Sequence, residues 1–375
     1  MRIGFDAKRA FLNKSGLGSY SRNLIVALSS NFPGSEYILY TPTVNPDLFN
    51  PSSPNIRIRV PETFIHRKLY SFWRSYTVSK LLVRDKIDIF HGLSHEIPIH
   101  FPVNKVRSVV TIHDLIFLRF PHLYNAIDRY IYRQKFRYSC QRADRIIAIS
   151  MQTASDISEF FGIPPDKIDV VYQGCHPAFY DPLSADEKKQ IRAKYNLPES
   201  YLLYVGTIEE RKNLLTLVQA LHLGKIDIPL VVIGRPTAYA HKIHDFMKRH
   251  KSVSTVFYDV VQNTDLRGFY QLADAFVYPS VYEGFGIPVL EALASKTPVI
   301  TSRGGCFSEA GGPETLYVDP LNCRELADAI VRVLQHSDLR DKMIQTGYQH
   351  ALGFKEDKVA AKVMKVYEKV LLHDR

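Results

Sequence analysis

A chain of 375 residues exceeds one ordinary domain and suits two of about 150–200 residues each. Hydrophobic residues make up 46% and charged residues 23%, which excludes a disordered or fibrous chain; no apolar run approaches the roughly 18 residues of a membrane span, and the opening MRIGFDAKRA reads as a charged strand rather than a signal peptide. The net charge of +10 lies almost wholly in the first half, with 23 Lys+Arg against 14 Asp+Glu up to Cys175 and 25 against 24 beyond it. That asymmetry predicts an anionic partner for the first half: anionic lipid, an anionic acceptor or nucleic acid.

In chain order, short β-branched runs alternate with helical stretches, as in parallel α/β sheets. The first half carries RIGFDA, EYILYT, IRIRV, IDIFHG, SVVTIHD, RIIAIS and IDVVYQG; the second carries YLLYVG, PLVVIG, STVFYD, AFVYPS, PVITS and TLYVD. Most are apolar on both faces, as strands between helix layers should be. Two segments of the first half, 65–86 and 128–145, read as basic helices with interleaved aromatics; the former includes Tyr70, Phe72 and Trp73. Such helices can lie on an anionic membrane, and a solvated helix face is the plainer alternative. The stretch from Cys175 to Ser200 reads as a proline-marked connector with a polar helix. The tail 356–375 has helical apolar spacing and could dock back on the first domain. The expected fold class is α/β, with two doubly wound Rossmann-like domains, 1–175 (with the returning helix 356–375) and 176–355, facing a central cleft. Cys140, Cys175, Cys306 and Cys323 form no C-x-x-C pair or zinc spacing, which predicts reduced thiols in a cytoplasmic protein.

Ligands of doubly wound sheets bind beyond the carboxyl ends of the strands, so strand-ending residues are the candidates. In YEGFGIPVLEA, Glu283 precedes Gly284, Phe285 and Gly286, and Ile287 opens a helix with Pro288 in its first turn and Glu291 one turn in. The glycines permit a tight turn and close backbone approach, and the helix start favours phosphate. Two acids flanking that turn suit a ligand with hydroxyls at both ends and phosphates between; the alternative is a helix-start charge and a solvated turn residue. After YLLYV, Gly206 ends a strand, and Arg211 and Lys212 precede a helix, where the dipole disfavours cations unless an anion is bound. Gly16 and Gly18 in SGLGSYSRNL suggest a phosphate or sugar loop before the first helix, or an ordinary β–α turn. His113 and Asp114 end one strand, and His91 and His95 follow another. Metal binding by these histidines has no spacing in its favour; a histidine orienting a sugar hydroxyl fits better, and structural imidazoles are the alternative. Neither G-x-G-x-x-G nor a P-loop is present, and there is no D-x-D pair.

Taken together, SGLGSYSRNL, TIHDL, VGTIEERKN and YPSVYEGFGIPVLEALASKTPVITS resemble, in order and over nearly the whole chain, the motifs of the retaining GT-B glycosyltransferases of family 4. The resemblance implies that Glu283 with Gly284, Phe285, Gly286 and Ile287 holds a donor sugar, that Glu291 accepts from ribose hydroxyls, and that Gly206, Arg211 and Lys212 meet the diphosphate. It also implies that His113 lies by the reacting sugar and that the Gly16–Gly18 segment closes over donor phosphates or acceptor. Many members carry Arg directly after the strand-ending glycine; Thr207 stands there in this chain.

The implied activity is transfer from a nucleoside-diphosphate sugar, GDP-mannose by resemblance to O-antigen and capsule mannosyltransferases, to a glycan or polyprenyl-linked acceptor in cell-surface polysaccharide assembly. Retention of configuration and no metal or other cofactor are expected. UDP-sugar transfer, or a GT-B epimerase or phosphorylase, remains open. The expected setting is the cytoplasm or the inner face of the cytoplasmic membrane; a nucleic-acid partner is not expected, because it leaves the Glu/Gly/Arg/Lys loops without a purpose.

Overall fold

The computed structural model describes residues 1–250 and 253–372. The chain divides into two compact units, one formed by Met1–Gly174 with the chain from Glu356 onward, the other by Cys175–Lys355.

The first unit is a wholly parallel seven-stranded sheet. Its strands are β1 (Arg2–Asp6), β2 (Glu36–Tyr40), β3 (Ile56–Arg59), β4 (Ile89–Gly92), β5 (Arg107–Ile112), β6 (Arg145–Ala148) and β7 (Ile168–Val170), in the order β3-β2-β1-β4-β5-β6-β7. The second unit has six parallel strands: β8 (Leu202–Val205), β9 (Leu230–Ile233), β10 (Thr255–Tyr258), β11 (Ala275–Tyr278), β12 (Val299–Ser302) and β13 (Leu316–Val318), in the order β10-β9-β8-β11-β12-β13. Central strands such as β6, β9 and β11 are buried at every residue, which is why they read as unbroken apolar runs. β3, at the sheet edge, exposes Arg57 and Ile58, and charge on an edge strand discourages pairing with another chain. In each sheet the strand order reverses once, between β1 and β4 and between β8 and β11, and doubly wound sheets bind ligands at such a point.

The helix Glu356–Leu372 returns to the first unit and packs on the helix Gly16–Asn31. Val359, Val363, Met364, Tyr367 and Val370 recur at helical spacing and are buried in one cluster with Ile3, Phe5, Leu24 and Ile25. At about 1.5–3 kcal/mol per buried large side chain, this helix is integral to that unit's stability. The last three residues of the expected 356–375 helix lie outside the described residues.

Two expectations are corrected. The 65–86 stretch is not one helix but Phe64–Lys68, Tyr70–Phe72, a π turn at Trp73–Thr77 and Val78–Arg84. Trp73 is buried in the core, so only Tyr70 and Phe72 of the three aromatics face outward. The 128–145 segment is the helix Ala126–Arg142, followed by Arg145, which opens β6 and pairs with Asp169 at 2.7 Å. The connector carries the expected polar helix, Ala185–Tyr195: Ser184 and Glu187 form a reciprocal capping box that starts it, and Tyr195 packs on Tyr258 and Phe269 of the second unit.

Candidate active site

At the reversal point of the second sheet, the loops after β8 and β11 are sewn together. The Val281 N–H donates to the Arg211 carbonyl at 2.8 Å, and the Asn213 side-chain amide donates to Pro279 O at 3.1 Å. Asn213 adopts a left-handed conformation (φ 59°), a shape in which Asn is less penalised than most residues. Gly206 ends β8 at φ +155°, and a Cβ there would stand 3.2–3.3 Å from Cδ and Nζ of Lys212. Glycine is therefore what leaves room for the lysine to lie back over the strand end.

Glu283 is the most heavily bonded carboxylate of this site. Tyr278 OH and Ser280 OH donate to its Oε1 at 2.7 and 2.9 Å, and Arg211 Nη1 lies 2.9 Å from Oε2. Burial works to raise its pKa, but Arg211, Lys212 and the Tyr278 bond overcome this and hold it below the ordinary carboxylate value. Arg211 also donates to the Tyr282 carbonyl and, through Nη2, to Glu209 at 2.6 Å. Burial opposes its charge, and the nearby Glu283 and Glu209 raise its pKa nonetheless. Among the described residues Lys212 makes no ion pair. Its Nζ stands 6.0 Å from the centre of the Tyr278 ring.

The turn Tyr282–Gly286 leads into the helix Ile287–Ala294, with Gly286 at φ 111° as its N-cap and Pro288 in its first turn. Gly286, as the N-cap, supplies no side-chain cap to this helix. Phe285 is buried, which anchors the turn. Glu291 accepts from Tyr270 OH at 3.0 Å, and burial pushes its carboxyl up to about 7 despite that bond. Each glutamate is thus held by a buried tyrosine, Tyr278 or Tyr270. The sequence reading passed over both, and Ser280 and Glu209 as well. The signal lay in AFVYPSVYE: Tyr278 and Ser280 precede Glu283 by five and three residues, close enough to reach back to it.

In the first unit, His91, His95 and His113 gather where β4 and β5 end, as buried groups. His113 Nε2 contacts the Leu93 carbonyl at 2.9 Å; a carbonyl only accepts, so Nε2 carries the proton. Nδ1 then accepts from Gln173 at 2.9 Å. Burial drops the His113 pKa to about 4, so the ring is neutral and both nitrogens are engaged. His91 links Tyr367 OH (2.6 Å) to Thr111 Oγ1 (2.7 Å), which contacts Tyr20 OH (3.2 Å), and the Tyr20 ring stands edge-on to His113.

Gly16 and Gly18 do not form a loop ahead of the first helix, as expected. A short helix, Lys8–Leu12, comes first, and both glycines lie in the opening turn of Gly16–Asn31. A Cβ on Gly18 would fall 1.9 Å from the Asn13 carbonyl oxygen, whereas Gly16 faces open space. Among the described residues no group of three or more His, Cys, Asp or Glu side chains is placed to hold a metal ion.

Two family models match. Residues 14–179 match Glycosyltransferase Family 4, and residues 187–350 match Glycosyl transferases group 1. The chain is 28% identical to O-antigen chain mannosyltransferase B of Escherichia coli, across 98% of this chain and 100% of that one. It is 26% identical to O-antigen chain mannosyltransferase RfbU of Salmonella typhimurium, across 81% and 79%. Its structure superposes on sucrose-phosphate synthase from Thermosynechococcus elongatus with a TM-score of 0.77 over the whole of both chains, at 20% identity. With matches spanning both parallel-sheet units, the chain belongs to the family 4 (group 1) glycosyltransferases of GT-B fold, and its sequence is mannosyltransferase-like.

Proposed function

We propose that this glycosyltransferase moves mannose from GDP-mannose to a growing cell-surface glycan, O-antigen-like and carried on a polyprenyl lipid, with retention of anomeric configuration and without a metal. The observation that carries the reading is the constellation at the β8/β11 reversal, where Arg211 and Lys212 follow β8, Arg211 pairs with Glu283 in the turn after β11, and that turn leads through Gly286 into the helix that carries Glu291. The names of the E. coli and Salmonella relatives favour mannose and O-antigen.

In this reading the second unit binds the donor and the first the acceptor. Lys212 and the N–H groups at Gly284–Ile287 meet the diphosphate, Glu291 accepts from ribose hydroxyls, and Glu283 positions the sugar. The C1–O bond to the β-phosphate breaks through an oxocarbenium-like state. The acceptor oxygen bonds to C1 on the same face, and the departing phosphate oxygen takes the acceptor proton. Fixed positive groups that meet the charge growing on that phosphate lower the barrier. His113, neutral and doubly engaged, serves as an uncharged positioning group rather than a base. Trapping a covalent glycosyl-enzyme adduct by mass spectrometry would refute the single-step route.

The basic excess of the first half fits a membrane-borne acceptor. Phe64, Ile65, Leu69 and Phe72 are exposed beside Arg67 and Lys68, and Ile127, Tyr130 and Ile131 beside Arg133 and Arg137. Arg74 and Lys135 both pair with Glu96, which ties the two segments into one region of the unit. No helix among the described residues is long and apolar enough to cross a membrane. We place this face on anionic lipid.

The experiment is a melting screen over GDP, UDP and their sugars. A ligand at 100 times its Kd adds about 2.7 kcal/mol of stability. GDP and GDP-mannose should stabilise the protein most; stabilisation by UDP-sugars alone would replace the mannosyl reading with a UDP-sugar one.

A further inference from the structure

The charged side chains gathered about Arg211 are balanced when the site is empty. Arg211 and Lys212 bring two positive charges, and Glu209 and Glu283 bring two negative ones. The two acids are held very differently. Glu283 has three side-chain partners and is 14% exposed; Glu209 is 36% exposed, and Arg211 Nη2 is its single side-chain partner among the described residues. On the arginine, Nη1 is committed to Glu283 and to the Tyr282 carbonyl, while Nη2 faces Glu209.

We propose that Glu209 is a stand-in for a donor phosphate oxygen: it fills the outer side of Arg211 in the empty site and is exchanged for the incoming anion. This rests on the donor-binding reading above and adds a gate to it. The exchange is like for like, because a carboxylate oxygen and a phosphate oxygen both accept from the planar guanidinium. Removing Glu209 from the ring of charges leaves Arg211, Lys212 and Glu283 with a net charge of +1, which suits a diphosphate. Arg211 keeps its hold on Glu283 and Tyr282 throughout, so the Glu283 turn is not disturbed. Glu209 is thereby a positioning residue that sets donor affinity by competition. An empty site that carries its own counter-charge also discriminates against lone anions, which bring no nucleoside binding to offset displacement of the carboxylate.

Calorimetric titration of GDP, UDP and the free nucleosides guanosine and uridine into wild type, Glu209→Gln and Glu209→Ala tests this. Both variants should bind the preferred nucleoside diphosphate about fivefold more tightly, equivalent to about 1 kcal/mol. Affinity for its nucleoside should not change, and donor KM should fall with kcat within about twofold. A residue that merely shaped the loop would weaken nucleoside and diphosphate alike. Unchanged or weaker diphosphate binding by the variants, with wild type binding normally, overturns the gate alone. Failure of wild type to bind either diphosphate overturns the donor reading and the gate together.

Discussion

Substituting Glu291 by Gln should make the protein more stable, and only above acid pH. The carboxyl is lifted from 4.5 to about 7 by burial, with the Tyr270 hydroxyl bond offsetting part of the cost. The folded state then holds this proton more tightly than the unfolded chain does. Below pH 4.5 both states are protonated and the site costs nothing. Between pH 4.5 and 7 the unfolded chain loses its proton first, and stability declines. Above pH 7 the full penalty is in force, on the order of 3 kcal/mol. Glutamine keeps an acceptor for Tyr270 and carries no charge to desolvate. For a unit of 181 residues, Cys175–Lys355, each kcal/mol moves the melting temperature by about 2–4 °C. Melting curves for both proteins from pH 4 to 8.5 should converge at pH 4 and diverge by about 5 °C or more at pH 8. The comparison must be a difference between the two proteins, because Glu356 is also pushed up to about 7 by burial and titrates in the same window. A gap that is constant with pH, or that widens toward acid, would refute the reasoning. The penalty has a functional meaning if the desolvated carboxylate awaits ribose hydroxyls: Glu291→Gln should then also weaken nucleoside binding while it stabilises the fold.

Lys212→Ala should lower sugar transfer roughly 100- to 1,000-fold, the loss typical of removing one group that stabilises leaving-group charge, with the melting temperature little changed; steady-state kinetics with the preferred donor check this. Gly18→Ala drives a Cβ onto the Asn13 carbonyl and should cost about 2 kcal/mol in thermal or urea unfolding, while Gly16→Ala meets open space and should leave stability equal or slightly higher, so that any activity lost by Gly16→Ala reports ligand contact rather than folding. Tyr367→Phe strips His91 Nδ1 of its partner in a buried site and should destabilise the first unit by about 1–3 kcal/mol, read by chemical denaturation. In flotation with anionic vesicles the protein should rise with the lipid at low salt and less so at about 0.5 M salt, where screening is far stronger, and Phe72→Ser with Ile127→Ser should reduce flotation at both.

Strands such as β9 and β11 were legible because a parallel strand buried on both faces writes itself as a short β-branched run bounded by turn residues, as in PLVVIG and AFVYPS. The Glu283–Glu291 turn was legible for a different reason: glycine at φ 111° and proline in the first helical turn leave few other local structures. Helix continuity between 65 and 86 was not legible, since the π turn at Trp73–Thr77 sinks the Trp73 ring into the core, a tertiary demand with no local signature. That Gly16 and Gly18 open a helix rather than precede it was not legible, because a glycine needed where a helix start passes close to a carbonyl, as Gly18 does at Asn13, looks the same as one in a loop. The tyrosines behind the glutamates, and the Gln173 bond that sets the His113 tautomer, depend on which strands neighbour one another, which spacing alone does not encode.

The most direct test of the account is calorimetric binding of GDP and GDP-mannose to wild type and to Lys212→Ala, in buffer with a strong chelator. The account predicts that wild type binds both without added metal and that the variant loses at least tenfold in affinity. Binding that vanishes with the chelator, or that is indifferent to the loss of Lys212, would contradict it.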